Sequence, residues 1–290
     1  MFTGAMVAIV TPFHDGKVDF ETLDELVDFQ VDNGIDAIVP VGTTGECPTL
    51  SHEEHKQVLD RVVKRVAGGT AVIAGAGSNS TAEAIELTAY AKKIGADATL
   101  QVCPYYNKPT QEGFYQHFKA IAEEVDLPIV LYNIPGRCGA GLTPETVARL
   151  NELENIVGIK EATGSLDQAS EIAMRCDITI LSGDDSLTLP LASVGGKGVI
   201  SVVANIVPAD VKAMTDLILE GDLVKARQWH RKLFALSKNM LTLSTNPIPI
   251  KAAMAMMDMC SEELRLPMTP LDAAKKTSLK QTLTDYGLLS

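Results

Sequence analysis

The stretch IVGIKEATG, residues 156–164, joins a short apolar run to a polar segment, and this pattern decides the fold. An uninterrupted apolar run, rather than an alternating one, is typical of a strand buried on both faces, as in parallel sheets. Lys160 stands at the carboxyl end of the run. Because an ammonium group beside apolar residues loses hydration and tends to release its proton, this position favours a neutral amine.

Seven further apolar runs of the same kind recur along the chain, and helical patterns separate them. The runs are AMVAIV (5–10), DAIVPV (36–41), AVIAGA (71–76), ATLQVC (98–103), PIVLYN (128–133), ITILSG (178–183) and GVISVV (198–203). Ser51 and Ser80, followed three residues later by Glu54 and Glu83, predict capping boxes at the start of two helices. This alternation predicts an α/β protein with a (β/α)8 TIM barrel. A doubly wound sheet is the alternative, but no GxGxxG follows the first run.

After residue 206 the apolar runs stop and only helical patterns remain. They are PADVKAMTDLILEGD, DLVKARQWHRKLFALSKNMLTL, PIPIKAAMAMMDM and DAAKKTSLKQTLTDYG. One of these helices is expected to complete the barrel, and the others are expected to pack against it. We therefore divide the chain into a barrel, residues 1–223, and a C-terminal helical region, residues 224–290.

The composition narrows the functional classes. The chain has 290 residues, of which 46% are hydrophobic, and its 37 acidic and 25 basic residues give a net charge of -12. Nucleic acids and anionic membranes require a basic face, so neither is an expected partner. No apolar run approaches the length of a membrane span. Because MFTGAMVAIVTPF lacks a basic targeting segment, we expect a cytoplasmic protein.

Neither the cysteines nor the histidines predict a metal site. The 5 cysteines form no CxxC pair and no zinc spacing, so we expect reduced thiols. His52 and His55 lie in HEEH, which differs from the HExxH pattern of zinc helices. We interpret HEEH as the exposed first turn of a helix, and we predict no metal and no cofactor.

Polar residues gather at the predicted carboxyl ends of four strands, where barrels of this kind build their active sites. The segments are GTTGE (42–46), CPYYN (103–107), YNIPGR (132–137) and the lysine of GIKEATG. A desolvated Lys160 attacks a ketone and forms a Schiff base, and Tyr132 beside it would carry protons. The Thr43 and Thr44 hydroxyls and the Arg137 guanidinium suit a carboxylate. Each also has an ordinary structural explanation, as a strand-end lysine, a buried tyrosine, a turn or a surface arginine.

Seven motifs in order carry a resemblance over essentially the whole chain. They are AIVTPF, GTTGE, PYYNKPTQEG, YNIPGR, GIKEATG, LSGDD and GVISV. On these motifs the chain resembles the dihydrodipicolinate synthase family of pyruvate-dependent class I aldolases, which is related to N-acetylneuraminate lyase. Most of the motifs are shared across the superfamily. GTTGE and the arginine of YNIPGR carry the narrower assignment, because the neuraminate lyases usually differ at both.

The resemblance implies a cofactor-free lyase that condenses pyruvate with L-aspartate 4-semialdehyde in the diaminopimelate pathway to lysine. It implies that Lys160 forms the imine with pyruvate and that Tyr132 carries the protons. Thr43 would link that tyrosine to Tyr106 of a neighbouring subunit, in a homotetramer built as a dimer of dimers. The substrate-binding residues that it implies are Thr44, the Ile200 backbone, Gly183 and Arg137.

The resemblance also implies feedback inhibition by L-lysine. The residues that match the inhibitor site of the inhibitable members are His52, His55, Asn79, Glu83 and Tyr105. A carboxylate such as Glu83 suits a cationic effector. Pro48 stands where those members usually have a small residue.

Two other functions remain open at this stage. A sister aldolase would cleave or condense a sugar acid with the same lysine, and Thr43 and Arg137 are the residues that separate it from the synthase. A non-catalytic barrel would bind a metabolite or partner and keep Lys160 without using it. Trapping with pyruvate and a substrate panel discriminate among the three.

Overall fold

The structure is a computed structural model that describes residues 2–289. In chain order its strands are β1 (Gly4–Ala8), β2 (Phe13–His14), β3 (Lys17–Val18), β4 (Ala37–Val39), β5 (Ala71–Gly75), β6 (Ala98–Val102), β7 (Ile129–Asn133), β8 (Ile156–Glu161), β9 (Thr179–Ser182) and β10 (Gly198–Ser201). Eight of them close into a parallel barrel in the order β1-β10-β9-β8-β7-β6-β5-β4, and β4 pairs with β1. β2 and β3 form a separate antiparallel hairpin. The predicted TIM barrel is confirmed.

Helices surround the barrel and follow it in the chain. They are α1 (Phe20–Asp32), α2 (His52–Val66), α3 (Thr81–Ile94), α4 (Gln111–Glu124), α5 (Pro135–Cys138), α6 (Pro144–Leu150), α7 (Leu166–Arg175), α8 (Thr188–Ala192), α9 (Pro208–Leu219), α10 (Leu223–Thr242), α11 (Ile248–Met256) and α12 (Ala273–Tyr286). Within residues 2–289 no helix combines the length and the apolar character needed to cross a membrane.

The second barrel strand, β4, is shorter than the sequence predicts, because the backbone turns just after it. The run 36–41 pairs as a strand only over Ala37–Val39. Val41 has a left-handed backbone with φ 56, which a β-branched residue rarely adopts. A Cβ added at Gly75 would lie 2.1 Å from the Val41 carbonyl oxygen. The missing side chain at Gly75 therefore lets β5 approach this turn closely.

One of the two predicted capping boxes is complete. The Ser51 backbone N–H donates to the Glu54 carboxylate at 2.9 Å, and the Ser51 hydroxyl accepts the Glu54 N–H. Ser80 likewise accepts the Glu83 N–H, but the Glu83 carboxylate bonds to the Ser78 hydroxyl. The reciprocal half of the second box was therefore predicted wrongly, because another partner lies within reach of that carboxylate.

The helices after the last strand share a core with the barrel. α9 packs against β1 and β10, which is the position of an eighth barrel helix, and α10 packs against α9, α11 and α12. Leu236 of α10, Ile250 of α11 and Leu279 of α12 belong to the same buried cluster as Val7 of β1. The proposed division at 223/224 falls in the first turn of α10, and it stays a prediction.

Two layers of apolar side chains hold the barrel, because successive residues of a strand face opposite sides. Met6, Ile73 and Ile200 belong to the cluster inside the barrel. Ile159 and Leu131 face outward into a cluster between strands and helices. These alternations fix which side chains of each strand turn toward the interior.

Candidate active site

Lys160 lies inside the barrel because its neighbour Ile159 faces the outer layer. The side chain is buried, and its register partner on β7 is Tyr132. Burial lowers the pKa of Lys160 to about 8; Arg137 also lowers it, while the charge of Asp185 opposes the shift. A substantial fraction of this amine is therefore neutral near pH 8, as a nucleophilic lysine requires.

Tyr132 lies beside the lysine, with its ring centroid 4.4 Å from Lys160 Nζ. Burial raises the pKa of Tyr132 to about 12, and the neighbouring Thr43 side chain opposes the rise. The phenol consequently keeps its proton at neutral pH and can donate it. The structure thus brings together three of the predicted residues, from β7, β8 and the GTTGE segment.

Asn246 connects two further predicted residues and was missed from the sequence. Its side-chain Nδ2 donates to Thr44 Oγ1 at 3.0 Å, and its backbone carbonyl accepts from Arg137 Nη2 at 3.0 Å. Asn246 precedes α11, more than a hundred residues after Arg137 in the chain. The segment TNPIPIK gave no signal for this role.

Gly183 lies against Lys160, and Ile200 lies in the barrel wall. A Cβ added at Gly183 would lie 2.6 Å from Ala162 Cβ and 3.2 Å from Lys160 Cε, so a side chain there would crowd Lys160. Ile200 is fully buried on β10, in register with Met6 of β1.

A cavity of about 230 Å³ opens beside this group of residues. Thr43, Tyr132 and Arg137 line it, and Arg137 is the single charged side chain among the described residues of its lining. Cys47 and Cys138 also line it, but burial raises their pKa values to about 12 and about 11. These thiols are therefore protonated at neutral pH and are poor nucleophiles.

Tyr106 stands apart from the other predicted catalytic residues. Its side chain is 90% exposed, and its backbone is left-handed with φ 71. Within the chain that the structure describes, it therefore does not join Thr43 and Tyr132.

Asp184 and Asp185 of the LSGDD motif were not predicted to belong to the site, yet they act electrostatically on Lys160. The buried Asp185 carboxylate accepts from the Ser201 hydroxyl and, at 2.8 Å, from the Val202 N–H. Burial raises its pKa. This carboxylate joins the segment after β9 to the end of β10. The sequence signal that could have identified them is a pair of adjacent acids directly after an apolar strand.

The family assignment follows from comparison with known proteins. A family model described as Dihydrodipicolinate synthetase family matches residues 1–286. The chain belongs to the dihydrodipicolinate synthetase family. The resemblance inferred from the motifs is confirmed.

Curated relatives and solved structures of the family match the whole chain. The 4-hydroxy-tetrahydrodipicolinate synthase of Geotalea uraniireducens is 56% identical over 100% of both chains. The chloride-inhibited dihydrodipicolinate synthase of Acinetobacter baumannii, complexed with pyruvate, is 44% identical, with a TM-score of 0.97 and 100% of both chains covered. The enzyme of Cyanidioschyzon merolae with lysine bound is 42% identical, with a TM-score of 0.96 and 99% of both chains covered. The function inferred from the sequence is the one named for these relatives.

In this dihydrodipicolinate synthetase family member, four of the five residues predicted to bind lysine line a second cavity of about 190 Å³. His52, His55, Glu83 and Tyr105 are among its lining residues. His52 Nε2 lies 3.1 Å from Glu83 Oε1. Asn79 donates to the Tyr105 carbonyl at 3.2 Å but is not among the lining residues.

The histidines of HEEH differ in environment, which partly corrects the prediction of an exposed turn. His52 is exposed, whereas His55 is buried and bonds through Nε2 to the Gly75 carbonyl at 2.8 Å. Burial lowers the pKa of His55, so it is neutral and donates this bond. The two cavities share Cys47, Pro48, Gly77, Val102 and Tyr105 as lining residues.

Proposed function

We propose that the chain is a 4-hydroxy-tetrahydrodipicolinate synthase, which condenses pyruvate with L-aspartate 4-semialdehyde through a Schiff base on Lys160. The observation that carries the proposal is a buried lysine of lowered pKa beside a protonated tyrosine, 4.4 Å from Nζ to the ring centroid. The names of the full-length relatives support the substrates. The enzyme needs no cofactor, because the lysine itself activates the ketone.

The first half of the reaction makes a carbon nucleophile. Neutral Lys160 attacks the ketone carbon of pyruvate, and Tyr132 donates a proton to the departing hydroxyl, so that water leaves and the imine forms. Thr44 and the Ile200 backbone hold the pyruvate carboxylate, with Gly183 lining the pocket. Tyr132, which has given up its proton, then accepts one from the methyl group, and the imine becomes an enamine.

The second half joins the two substrates. Arg137 binds the carboxylate of the semialdehyde, and the enamine carbon attacks its aldehyde. The amino group of the semialdehyde then attacks the imine carbon and displaces Lys160, which closes the ring and frees the enzyme. Tyr132 carries the protons of these steps through Thr43.

Tyr106 completes the proton relay in an assembly of subunits. We place it across a subunit boundary because its phenol is exposed in the single chain. A homotetramer, built as a dimer of dimers, would bring it to the Thr43 of a neighbour. A clean monomer that keeps full activity would contradict this arrangement.

L-lysine is the proposed effector of the second cavity. Glu83 offers a carboxylate for its ammonium group, and the walls shared with the first cavity give a route between the sites. Titration with lysine at saturating pyruvate and semialdehyde should show inhibition, and Glu83→Gln should weaken it. A flat titration would remove this part of the proposal.

Synthesis of a soluble metabolite also agrees with a cytoplasmic location.

Borohydride trapping tests the proposed function. Reduction in the presence of pyruvate should add a pyruvyl group to intact protein, and peptide mapping should place it on Lys160. Lys160→Met is the matched negative control, and Lys197→Met is a control at an exposed lysine. An adduct elsewhere would overturn the site assignment. The absence of any adduct would favour a non-catalytic barrel.

A panel of aldehydes tests the second substrate after trapping succeeds. The synthase should consume aspartate 4-semialdehyde and show no turnover with sugar aldehydes. Preference for a sugar aldehyde would favour a sister aldolase, which is the second candidate left by the shared lysine chemistry.

A further inference from the structure

A buried ion pair joins the GTTGE loop (42–46) to the C-terminal helices. Glu46 Oε1 lies 2.5 Å from Lys251 Nζ of α11, and the two side chains are 1% and 0% exposed. The other carboxylate oxygen of Glu46 accepts the Arg265 backbone N–H at 3.1 Å. Lys251 also donates to the Glu263 carbonyl at 2.8 Å. The loop is thereby tied to residues more than two hundred positions away.

Arg265 extends the same network to the start of α2. Its guanidinium donates to both carboxylate oxygens of Glu54, at 2.7 and 2.5 Å, and to the Thr49 carbonyl at 2.9 Å. The Phe13 ring centroid lies 4.1 Å from Lys251 Nζ and 4.5 Å from Arg265 Cζ. The bidentate contact between the planar Arg265 guanidinium and the Glu54 carboxylate fixes orientation as well as distance.

The pair restrains backbone that the active site uses. Glu46 has a left-handed backbone with φ 54, a conformation that persists only where surrounding contacts hold it. Its N–H donates to the Thr43 carbonyl at 3.2 Å. Met268, which follows Arg265 by three residues, lines the first cavity. The network therefore reaches the site through the GTTGE loop and through the segment that carries Met268.

Stability alone does not account for two buried charges here. Removing a carboxylate and an ammonium from water is costly, and apolar side chains of similar volume often serve stability as well or better. What a charged pair adds is a defined geometry between two segments. The segments that this pair joins carry Thr43 and Thr44 on one side and Met268 on the other.

We propose that Glu46 is a positioning residue of the active site, acting through its buried contacts with Lys251 and the Arg265 amide. It holds Thr43 at the Tyr132 phenol and Thr44 at the pyruvate position, and it keeps Met268 against the cavity. This role rests on the proposed function, in which Thr43 relays protons and Thr44 binds pyruvate. Loss of the pair should lower kcat through Thr43 and raise the pyruvate KM through Thr44.

Three variants test this role: Glu46→Gln, Lys251→Met and the double variant. Borohydride trapping with pyruvate counts the competent sites, so kinetic constants are expressed per trapped Lys160. Each single variant should lose about ten-fold to a hundred-fold in kcat/KM for pyruvate, since small displacements of positioned groups have effects of this size. The double variant should lose less than the product of the two single losses, because the pair acts as a unit. It also leaves neither partner of this pair as an uncompensated buried charge, so it should fold where a single variant does not.

Leu279→Ala is the matched control for general destabilisation. Leu279 is fully buried in α12 and lines neither cavity. This control should melt at a lower temperature and keep wild-type constants per trapped site. If the pair variants behave like it, or if their losses multiply independently, the positioning role is wrong. If the wild type gives no adduct on Lys160, the proposed function fails, and the positioning role fails with it.

Discussion

Lys160 and Tyr132 are register partners on adjacent parallel strands, and the lysine Nζ lies 4.4 Å from the tyrosine ring centroid. Backbone pairing between β8 and β7 sets the spacing of the two side chains. Groups held on rigid strands keep their geometry better than groups held on loops. The proposed nucleophile and its proton donor are therefore positioned before substrate arrives.

Imine formation should depend on pH through the lysine. Burial lowers the pKa of Lys160 to about 8, and only the neutral amine attacks a ketone. The initial rate of adduct formation at saturating pyruvate should rise from about pH 7 and level off above about pH 9. Intact mass after borohydride quenching at successive times measures it. A rate that still climbs steeply near pH 10 would show that burial does not set the reactivity.

Replacing Lys160 should stabilise the fold. The unfolded chain holds the lysine proton up to the ordinary pKa of 10.5, whereas the folded protein releases it near 8, so stability should rise with pH between these values. At pH 7 the folded state buries the charged ammonium group. Because each unit of pKa shift corresponds to 1.36 kcal/mol, this burial lowers the free energy of unfolding by up to about 3 kcal/mol. Lys160→Met removes that cost.

Denaturant unfolding of Lys160→Met and wild type at pH 7 checks this stabilisation. Lys197→Met, at an exposed lysine, should change the free energy of unfolding little. Lower stability of Lys160→Met than of the wild type would contradict the expected cost of the buried charge. A gain in stability with complete loss of activity is the trade-off expected of a functional site.

The barrel and its central residues could be predicted because their signals are local. Uninterrupted apolar runs mark the strands, and a lysine or tyrosine at the end of such a run is visible by inspection. Asn246 and Met268 could not be found in this way, because they reach the site from segments between C-terminal helices. Their contacts depend on how distant parts of the chain pack. Neither the local sequence pattern nor the packing of a single chain can test the role of Tyr106, since its proposed partner belongs to another subunit.

Removing the phenol hydroxyl should slow every proton-transfer step. Tyr132→Phe keeps the ring against Lys160 but has no proton to donate. Turnover should fall by about 10²–10⁴-fold, the usual contribution of a positioned acid or base. Steady-state assays measure the loss, and Tyr115→Phe, at a ring that stacks on Arg149 of α6, is the control. An unchanged rate would remove Tyr132 from the mechanism.

Arg137 should affect the second substrate more than the first. Arg137→Lys keeps the charge but loses the forked geometry and the bond to the Asn246 carbonyl. The KM for the semialdehyde should rise by about ten-fold or more, as expected when hydrogen bonds to a charged group are lost. Trapping of pyruvate on Lys160 should persist. Equal losses for both substrates would instead indicate that this residue supports the site as a whole.

The contact between Glu54 and Arg265 should make stability depend on acid pH. The Arg265 hydrogen bond lowers the pKa of Glu54 to about 2, from an ordinary value of 4.5. A carboxyl with a depressed folded pKa contributes stability above its unfolded pKa, and this contribution is lost as pH falls from about 4.5 toward 2. The melting temperature of Glu54→Gln should therefore fall below that of the wild type at pH 7, and the gap should narrow in acid. Glu53→Gln, at the exposed neighbouring acid of the same helix turn, should show a clearly smaller difference from the wild type. A gap that stays constant from pH 7 to pH 3 would mean that the contact does not depend on the charge of Glu54.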